Sequence, residues 1–486
     1  PISRSISKPM PAIPTLFAAE SQADLPLHEQ LARTLRRAIL AGHLPFNSRL
    51  PATRVLAQDL NVSRSTVELA FARLEAEGYL RRQVGAGSFV ALAGGNAKPR
   101  PRNAAAGLSQ RGQTMVRAEA CRDTALQFKA FTAGQPDPAA FPHELWGRLT
   151  QQRWKKDHHF LMRYGDPQGL PELREAIAGY LTQSRGVICD AGQVLVLTSS
   201  QQALQLIAQL LIDPQDTVWL EEPGYLGARS AMLAAGAQII PVTVDENGLN
   251  TDIASTLSAP KLIYTTPAHQ YPLGVTMSLP RRMALLAQAA RHNAWIIEDD
   301  YDSEIAYDHR PLPALQGLDQ QGRVLYVGTF SKVLFPSLRL AYLVLPPDLM
   351  PAFVAARKAF DGHSPQLPQA VTADFISQGH FAAHLRHIRT LYRSRRDLLL
   401  ECLRPAGELI QPVNVSSGLQ FAVQIPPASA VKWTQAGQAQ GLALRPLQPF
   451  YQGDGGIQGW LLGYAALSNE DIRLASDTLL KCLSSA

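Results

Sequence analysis

Thr329-Phe-Ser-Lys332 follows the apolar run Val324–Val327, and Arg339 comes seven residues after the lysine. A second apolar run, Trp295–Glu298, is followed directly by Asp299. A lone lysine at a strand end is ordinarily a solvated surface group, but the neighbours here carry complementary chemistry. Thr329, Ser331 and Arg339 can bind a phosphate, and Asp299 can face a cationic ring nitrogen. A lysine for a Schiff base, an acid for a pyridinium and a phosphate cradle are the three things pyridoxal phosphate requires. The competing reading is a structural salt bridge between Asp299 and Lys332.

A different chemistry is concentrated near the other end of the chain. The net charge is +6, yet residues 1–124 hold 17 Lys and Arg against 9 Asp and Glu, whereas residues 125–486 hold 29 against 31. All the positive excess lies in the first quarter, which suggests a polyanion-binding module attached to a body with other work. Residues 27–41, LHEQLARTLRRAILA, put Leu27, Leu31, Leu35, Ile39 and Leu40 on one face ahead of Gly42 and predict an amphipathic helix. Ala52–Leu60 makes a short second helix, Asn61-Val-Ser63 a turn, and Ser63 can cap a third helix, Arg64–Glu77. Residues 78–90 read as two short strands about a Gly-rich turn, a wing that includes Gly87. In such a motif the third helix meets base edges with its first residues, here Ser63, Arg64, Ser65 and Thr66. Arg64 is the candidate for a guanine, because a guanidinium pairs in bidentate fashion with O6 and N7. Arg49 and Arg54 are placed to hold phosphates. A helical dimerisation domain is the alternative, and it explains neither the wing nor the positive helix start.

The elements around these residues divide the chain. At 486 residues it exceeds one folding unit, and 46% hydrophobic with 18% charged residues is a globular composition. The longest apolar stretches fall short of the roughly 18 residues of a bilayer span, and the first 25 residues show no secretory pattern. The expectation is a cytoplasmic protein without membrane association. Cys121, Cys189, Cys402 and Cys482 are scattered without a CxxC pair, so neither a disulfide framework nor a metal site is suggested. GGNAKPRPRNAAAGLSQRGQ lacks helical or strand periodicity and reads as a basic, flexible linker, giving a DNA-binding module at 25–92, a linker at 93–124 and a body at 125–486. From Phe128 onward, apolar runs such as VLVLT, TVWLEE, KLIYTTP, WIIEDD and RVLYVGTFS alternate with helical patterns. This predicts an α/β body around a largely parallel sheet, with functional residues on loops at the carboxyl ends of strands.

The segments PLHEQLARTLRRAILAG, LPATRVLAQDLNVSRSTVELAFARLEAEGYL and GAGSFV resemble the GntR family of bacterial regulators over about Leu25–Leu92. That resemblance implies a winged helix-turn-helix that binds operator DNA as a dimer. FTAGQPDPAAFPHELW, YGDPQGLPELREAIAGYL, TSSQQAL, EEPGYLGAR, TTPAHQYPLG, IIEDDYDSE and GTFSKVLFPSLRLAY resemble the fold-type I aminotransferases. The two halves together resemble the MocR-like subgroup of GntR regulators, which implies a carboxy-terminal, pyridoxal-phosphate-dependent aminotransferase-like fold after the winged helix. By position, the resemblance makes Lys332 the Schiff-base lysine, Asp299 the partner of the pyridine nitrogen, Tyr301 the partner of the cofactor's phenolic oxygen and Tyr225 the ring stacked on it. Ser199, Ser200 and Gln201 at a helix start, with Thr329, Ser331 and Arg339, hold the phosphate. Tyr164 reaches the phosphate of the neighbouring subunit, which implies a homodimer.

Five positions depart from the pattern. Ser199 stands where many relatives have glycine, and Glu68 occupies a position that is basic in some members. The pair His269-Gln270, expected beside the cofactor, replaces the asparagine that true aminotransferases place near the phenolic oxygen. Leu461 occupies the place where amino-acid-binding relatives carry an arginine, and Arg229 and Arg445 are the candidate substitutes. The expectation is therefore a regulator rather than an enzyme, with at most a residual transaminase half-reaction. Its favoured signal is pyridoxal phosphate itself, controlling vitamin B6 genes, ahead of a small amine or amino-acid effector that reacts with the bound cofactor. The alternatives are a working aminotransferase with an accessory DNA-binding domain, and a DNA-bridging protein with an empty fold.

Overall fold

Leu31, Leu35 and Ile39 form one stripe of the helix Leu27–Leu40 and are fully buried. They pack with Leu56 of the helix Thr53–Asp59 and with Val67, Phe71 and Leu74 of the helix Arg64–Ala76. Leu27 and Leu40, read onto the same face, are about half exposed at the helix ends. The wing forms as expected: β1 (Leu80–Gln83) pairs antiparallel with β2 (Gly87–Val90). The computed structural model describes residues 13–19, 25–83, 85–92, 107–119, 128–307, 312–453 and 455–485. It separates into two units at Gly107 and Leu108, the first carrying the winged helix and the second the α/β body. No described helix is long and apolar enough to cross a membrane.

The body is built on an eight-stranded sheet. Its strands are β3 (Val194–Leu197), β4 (Thr217–Glu222), β5 (Gln238–Asp245), β6 (Gly248–Leu249), β7 (Leu262–Thr265), β8 (Trp295–Asp300), β9 (Val324–Thr329) and β10 (Ala341–Val344), in the order β3-β10-β9-β8-β7-β4-β5-β6. β9, β8, β7, β4 and β5 are parallel and joined by helices, and β3 and β9 are buried at every residue, which is why they read as unbroken apolar runs. The expectation of a largely parallel sheet needs one correction. β10 runs antiparallel to both β3 and β9, and β6 is an antiparallel edge. Only residues 330–340 separate β9 from β10, too few for the crossover that a parallel return requires. A second, wholly antiparallel sheet follows, of β11 (Gln411–Val413), β12 (Gln420–Gln424), β13 (Arg445–Pro446) and β14 (Gly459–Gly463), in the order β11-β12-β14-β13.

The linker reading is also corrected in part. A helix, Gln110–Glu119, lies inside the span 93–124 read as a flexible linker and packs along the helix Leu226–Ala235. Met115 and Val116 border a cleft of about 240 Å3 with Ser230, Ala231 and Ala234. Packing of this kind stabilises a short helix that local propensity leaves marginal. Residues 93–106 and 120–127, Cys121 among them, lie outside the described residues.

Three consecutive acids end β8, and the pleat sorts them. Glu298 and Asp300 point to one face and Asp299 to the other. Glu298 accepts the amides of Leu315 and Gln316, each at 2.8 Å. Asp300 accepts Arg185 Nε at 2.8 Å and the Tyr326 hydroxyl at 2.6 Å, entirely out of water. Burial alone would raise the Asp300 carboxyl, yet Arg185 and the Tyr326 hydroxyl hold it below its ordinary range. Its stabilising contribution is thus fully present above the unfolded carboxylate value and is lost as pH falls through the lower folded value. Arg185→Met leaves that carboxylate unpaired. The variant is expected to lose about 3–5 kcal/mol in urea unfolding near neutral pH, and less in acid, where Asp300 can protonate.

Candidate functional site

Ten of the residues selected from sequence line one cavity of about 1080 Å3: Ser199, Ser200, Gln201, Tyr225, Asp299, Tyr301, Thr329, Ser331, Lys332 and Arg339. They come from the ends of β3, β4, β8 and β9, where an α/β sheet opens its crevice. The Lys332 ammonium donates to Gly134 O at 2.9 Å. Gly134 has φ +73°, and a Cβ there would stand 2.8 Å from Lys332 Nζ, so only glycine leaves the lysine its place. Burial pulls the Lys332 ammonium below the ordinary lysine value; Asp302 and Asp299 oppose that shift, and the charge of Arg445 adds to it. Lowering favours the neutral, nucleophilic amine.

Asp299 is not salt-bridged to Lys332. Its Oδ2 accepts the Tyr264 hydroxyl at 2.8 Å, while Oδ1 is buried without a partner among the described residues. Burial pushes this carboxyl up to about 7; the Tyr264 hydroxyl opposes the rise, and Asp300, Glu221 and Asp302 add to it. Opposite, the helix Ser200–Leu211 points its amino terminus into the cavity. Its first amides have no intrahelical acceptor, which makes an anion site. Ser199 does not crowd that site, because its hydroxyl turns back to cap the helix and accepts the Gln202 amide at 3.1 Å. Arg339 is exposed at φ +51°, unusual for a residue with a side chain, and forms no ion pair among the described residues.

Three expected residues do not line this cavity. His269 is buried behind it, with Nδ1 2.8 Å from Asp302 Oδ1 and 3.1 Å from the Tyr301 hydroxyl, so it bears on the cavity only through Tyr301. Gln270 Nε2 is spent on Pro223 O at 2.8 Å and Tyr271 O at 2.7 Å. Tyr164 is 97% exposed, away from the cavity of its own chain. Conversely, Gly134, Tyr264 and Phe450 line the cavity, and sequence reasoning did not assign them there; of the two arginines named as stand-ins for the one missing at Leu461, Arg445 lines the cavity and Arg229 does not. Gly134 and Arg445 come from segments about 200 and 110 residues away from Lys332, so no local spacing marks them.

In the first unit, Ser63 Oγ accepts the Thr66 amide at 3.1 Å and lies 2.8 and 2.7 Å from the Ser65 and Thr66 hydroxyls. The three hydroxyls therefore share hydrogen bonds at the start of the third helix. Arg64 pairs through Nε with Glu68 at 2.9 Å on an exposed face, which leaves both Nη groups for a bidentate contact. Arg54 and Arg64 border one surface hollow, and Gly87, at φ +109°, leaves space beside Arg49 Nε, 3.1 Å from where its Cβ would be. Glu29, Glu75 and Glu77 are neutralised by Arg73, Arg82 and Arg36. Arg49 and Arg54 form no ion pair among the described residues, so the positive surplus sits at the candidate DNA face.

Residues 27–90 match the family of gntR bacterial regulatory proteins, and residues 132–479 match class I and II aminotransferases. The chain is 41% identical to the probable rhizopine catabolism regulatory protein MocR of Rhizobium meliloti, over 96% of this chain and 95% of that relative. It belongs to the MocR-like subgroup of GntR transcriptional regulators. A more distant MocR-like relative, the pyridoxine biosynthesis transcriptional regulator PdxR of Corynebacterium glutamicum, is 29% identical over 93% of this chain and 97% of its own length. The body also shares its fold with the crystal structure of Pyrococcus horikoshii kynurenine aminotransferase, at 27% identity and a TM-score of 0.68, covering 78% of this chain and 95% of that one.

As in class I and II aminotransferases, the MocR-like body binds pyridoxal phosphate. The residues present fit that group. The unpartnered buried oxygen of Asp299 suits a pyridine N–H, the helix amides with Arg339 suit a phosphate, and Lys332 suits an aldehyde. Asp299→Ala is expected to weaken cofactor binding about 10–100-fold by fluorescence titration, the cost of a charge-assisted hydrogen bond. Because the folded Asp299 value is raised, the cofactor-free body loses stability as pH rises from the unfolded carboxylate value toward 7. Cofactor-free Asp299→Asn should therefore melt above the parent protein at about pH 8 and not near pH 4. On the DNA face, Arg54→Ala should weaken binding to all sequences alike and flatten the salt dependence by about one phosphate, whereas Arg64→Ala should cost operator affinity about 10–100-fold and spare non-specific binding.

Proposed function

We propose that this MocR-like regulator uses its body as a sensor, responding to pyridoxal phosphate itself or to an amine that reacts with the bound cofactor. The observation that carries the reading is the convergence of Lys332, Asp299 and the start of the helix Ser200–Leu211 on one cavity. When bound, pyridoxal phosphate supplies an aldehyde carbon that condenses reversibly with primary amines. Lys332 Nζ is the chain's amine for that carbon, Asp299 holds the proton of the ring nitrogen, and Ser200, Gln201, Thr329, Ser331 and Arg339 hold the phosphate. Tyr225, on the cavity wall, would stack on the ring. The name of the 29% identical regulator of pyridoxine biosynthesis supports the vitamin as the signal.

Regulation is favoured over turnover. Gln270 has both donors committed to backbone carbonyls, and Leu461 is buried and uncharged, so neither serves a substrate. A residual transaminase half-reaction is compatible with this site, and multiple turnover is not expected. The fully exposed ring of Tyr164 supports a homodimer in which it reaches the second copy's phosphate.

The test is binding of the cofactor-free protein to its own upstream intergenic DNA at fixed salt, with and without pyridoxal phosphate. The cofactor is expected to change affinity or footprint, and Lys332→Ala to abolish the change. No effect of the cofactor would rule out the vitamin as signal, and steady keto-acid production from an amino-acid panel would instead identify an enzyme.

A further inference from the structure

We propose that His269, paired with Asp302, is a positioning residue that fixes where the Tyr301 hydroxyl sends its proton, and so makes Tyr301 a donor to the phenolic oxygen of bound pyridoxal phosphate. The inference rests on the reading that puts that oxygen beside Tyr301. The decisive atom is one nitrogen. His269 Nδ1 lies 2.8 and 3.0 Å from the two oxygens of Asp302 and 3.1 Å from the Tyr301 hydroxyl. An imidazole nitrogen has a single in-plane position, which either carries a hydrogen or accepts one. Asp302 occupies that position whichever of the two acids holds the shared proton. Nδ1 is therefore closed to the proton of Tyr301, whose oxygen is confined to accepting at that contact. Tyr301 has no second hydrogen bond among the described residues and lines the cavity, so its O–H is available there.

The fold holds this arrangement from three sides. His269 comes from the turn after β7, and Tyr301 and Asp302 directly follow β8; the His269 and Tyr301 rings lie within 24° of parallel. His269 and Asp302 are both buried, so water does not compete for their contact. Behind them stands Gly418, at φ +90°, where a Cβ would collide with His269 Cε1 and come within 3.1 Å of Asp302 Oδ2. Only glycine leaves the pair its space. Gly418 is itself pinned, because its carbonyl accepts the Tyr307 and Tyr464 hydroxyls at 2.5 and 2.7 Å and its amide donates to Ile305 O at 2.8 Å. Asp302, Tyr271, Asp299 and Glu221 are the titratable groups that act on the Tyr301 hydroxyl, and Asp300 and Lys332 act on Asp302. Across the cavity the charged groups are Asp299, Lys129, Lys332, Arg339 and Arg445. A donor at the phenolic oxygen stabilises its ionised form most when the neighbouring Lys332 nitrogen has lost its proton, and so lowers the pH at which the bound cofactor titrates.

The experiment follows the absorbance of the bound cofactor against pH in the full-length, cofactor-loaded protein, for single variants and for a double-mutant cycle. Tyr301→Phe removes the donor and is expected to raise the titration midpoint by about one pH unit, the worth of one hydrogen bond to a charged oxygen. His269→Leu leaves Asp302 open to the Tyr301 proton, turns the donor away from the cofactor and should raise the midpoint about as far. In the Tyr301→Phe background His269→Leu should add nothing, because effects that act directly on the cofactor survive in both backgrounds and cancel from the cycle. His269→Asn, which keeps an N–H for Asp302, should stay near the wild-type midpoint. Circular dichroism and urea midpoints check folding, and if His269→Leu does not fold, Asp302→Leu takes its place in the cycle, since it frees Nδ1 to accept the Tyr301 proton. An unmoved midpoint in His269→Leu, an equal movement in both backgrounds, or a movement in His269→Asn as large as in His269→Leu overturns the inference while the placement of Tyr301 stands. An unmoved midpoint in Tyr301→Phe overturns that placement and this inference with it.

Discussion

A carboxylate oxygen held out of water without a partner is the constraint around which the body is arranged. Burying such a group costs free energy unless something arrives to match it. Here the sheet keeps Asp299 at the end of a central strand, Tyr264 satisfies one of its oxygens, and Lys332 is held to a backbone carbonyl instead of collapsing onto the other. The acid and the amine are both left unneutralised, facing the same space. A cavity lined by groups already in position has little reorganisation left to perform when its ligand binds.

The two units solve the same problem with the same local device. Each must hold phosphate, one on DNA and one on a cofactor, and each presents a helix start whose cap is a serine. Ser63 accepts the Thr66 amide and Ser199 accepts the Gln202 amide, both at 3.1 Å and both three residues on. The cap satisfies one amide and leaves the earlier ones for the anion. Around each helix start the acidic side chains are spent elsewhere: glutamates on arginines behind the DNA face, and Glu298 and Asp300 on the far side of the sheet. Near the two helix starts, Arg54 on one side and Arg339 on the other keep cations that form no ion pair among the described residues.

The helix-turn-helix and the buried strands of the larger sheet were legible because their signals are local. A 3.6-residue stripe marked Leu31, Leu35 and Ile39, and continuous apolar runs marked β3 and β9. The cavity residues at strand ends were legible for the same reason, since Lys332, Asp299 and the Ser199–Gln201 segment each sit within a short contiguous motif. The direction of β10 depended on the length of one connection, the helix Gln110–Glu119 on a surface that packs it, and the strands β11–β14 on pairing between short, distant segments. His269 and Gln270 are contiguous with the motif that suggested them, but the turn after β7 sends them behind Tyr301 and toward Pro223. Gly134 and Arg445 reach the cavity only through the tertiary fold, and nothing in the spacing of residues around Lys332 could have located them.

The pleat that separates Glu298, Asp299 and Asp300 has an evolutionary corollary. The three positions are chemically alike, so point changes among acids there alter little in composition, but their surroundings are opposite: Glu298 accepts backbone amides, Asp299 faces the cavity unmatched, and Asp300 is ion-paired. Because side chains alternate with a period of two, inserting or deleting one residue in β8 would exchange the faces. The ion-paired acid would turn toward the cavity and the unmatched one toward Arg185. Divergence along this strand is therefore confined to replacement, and a length change within Trp295–Asp300 should mark a lineage that has given up the cofactor.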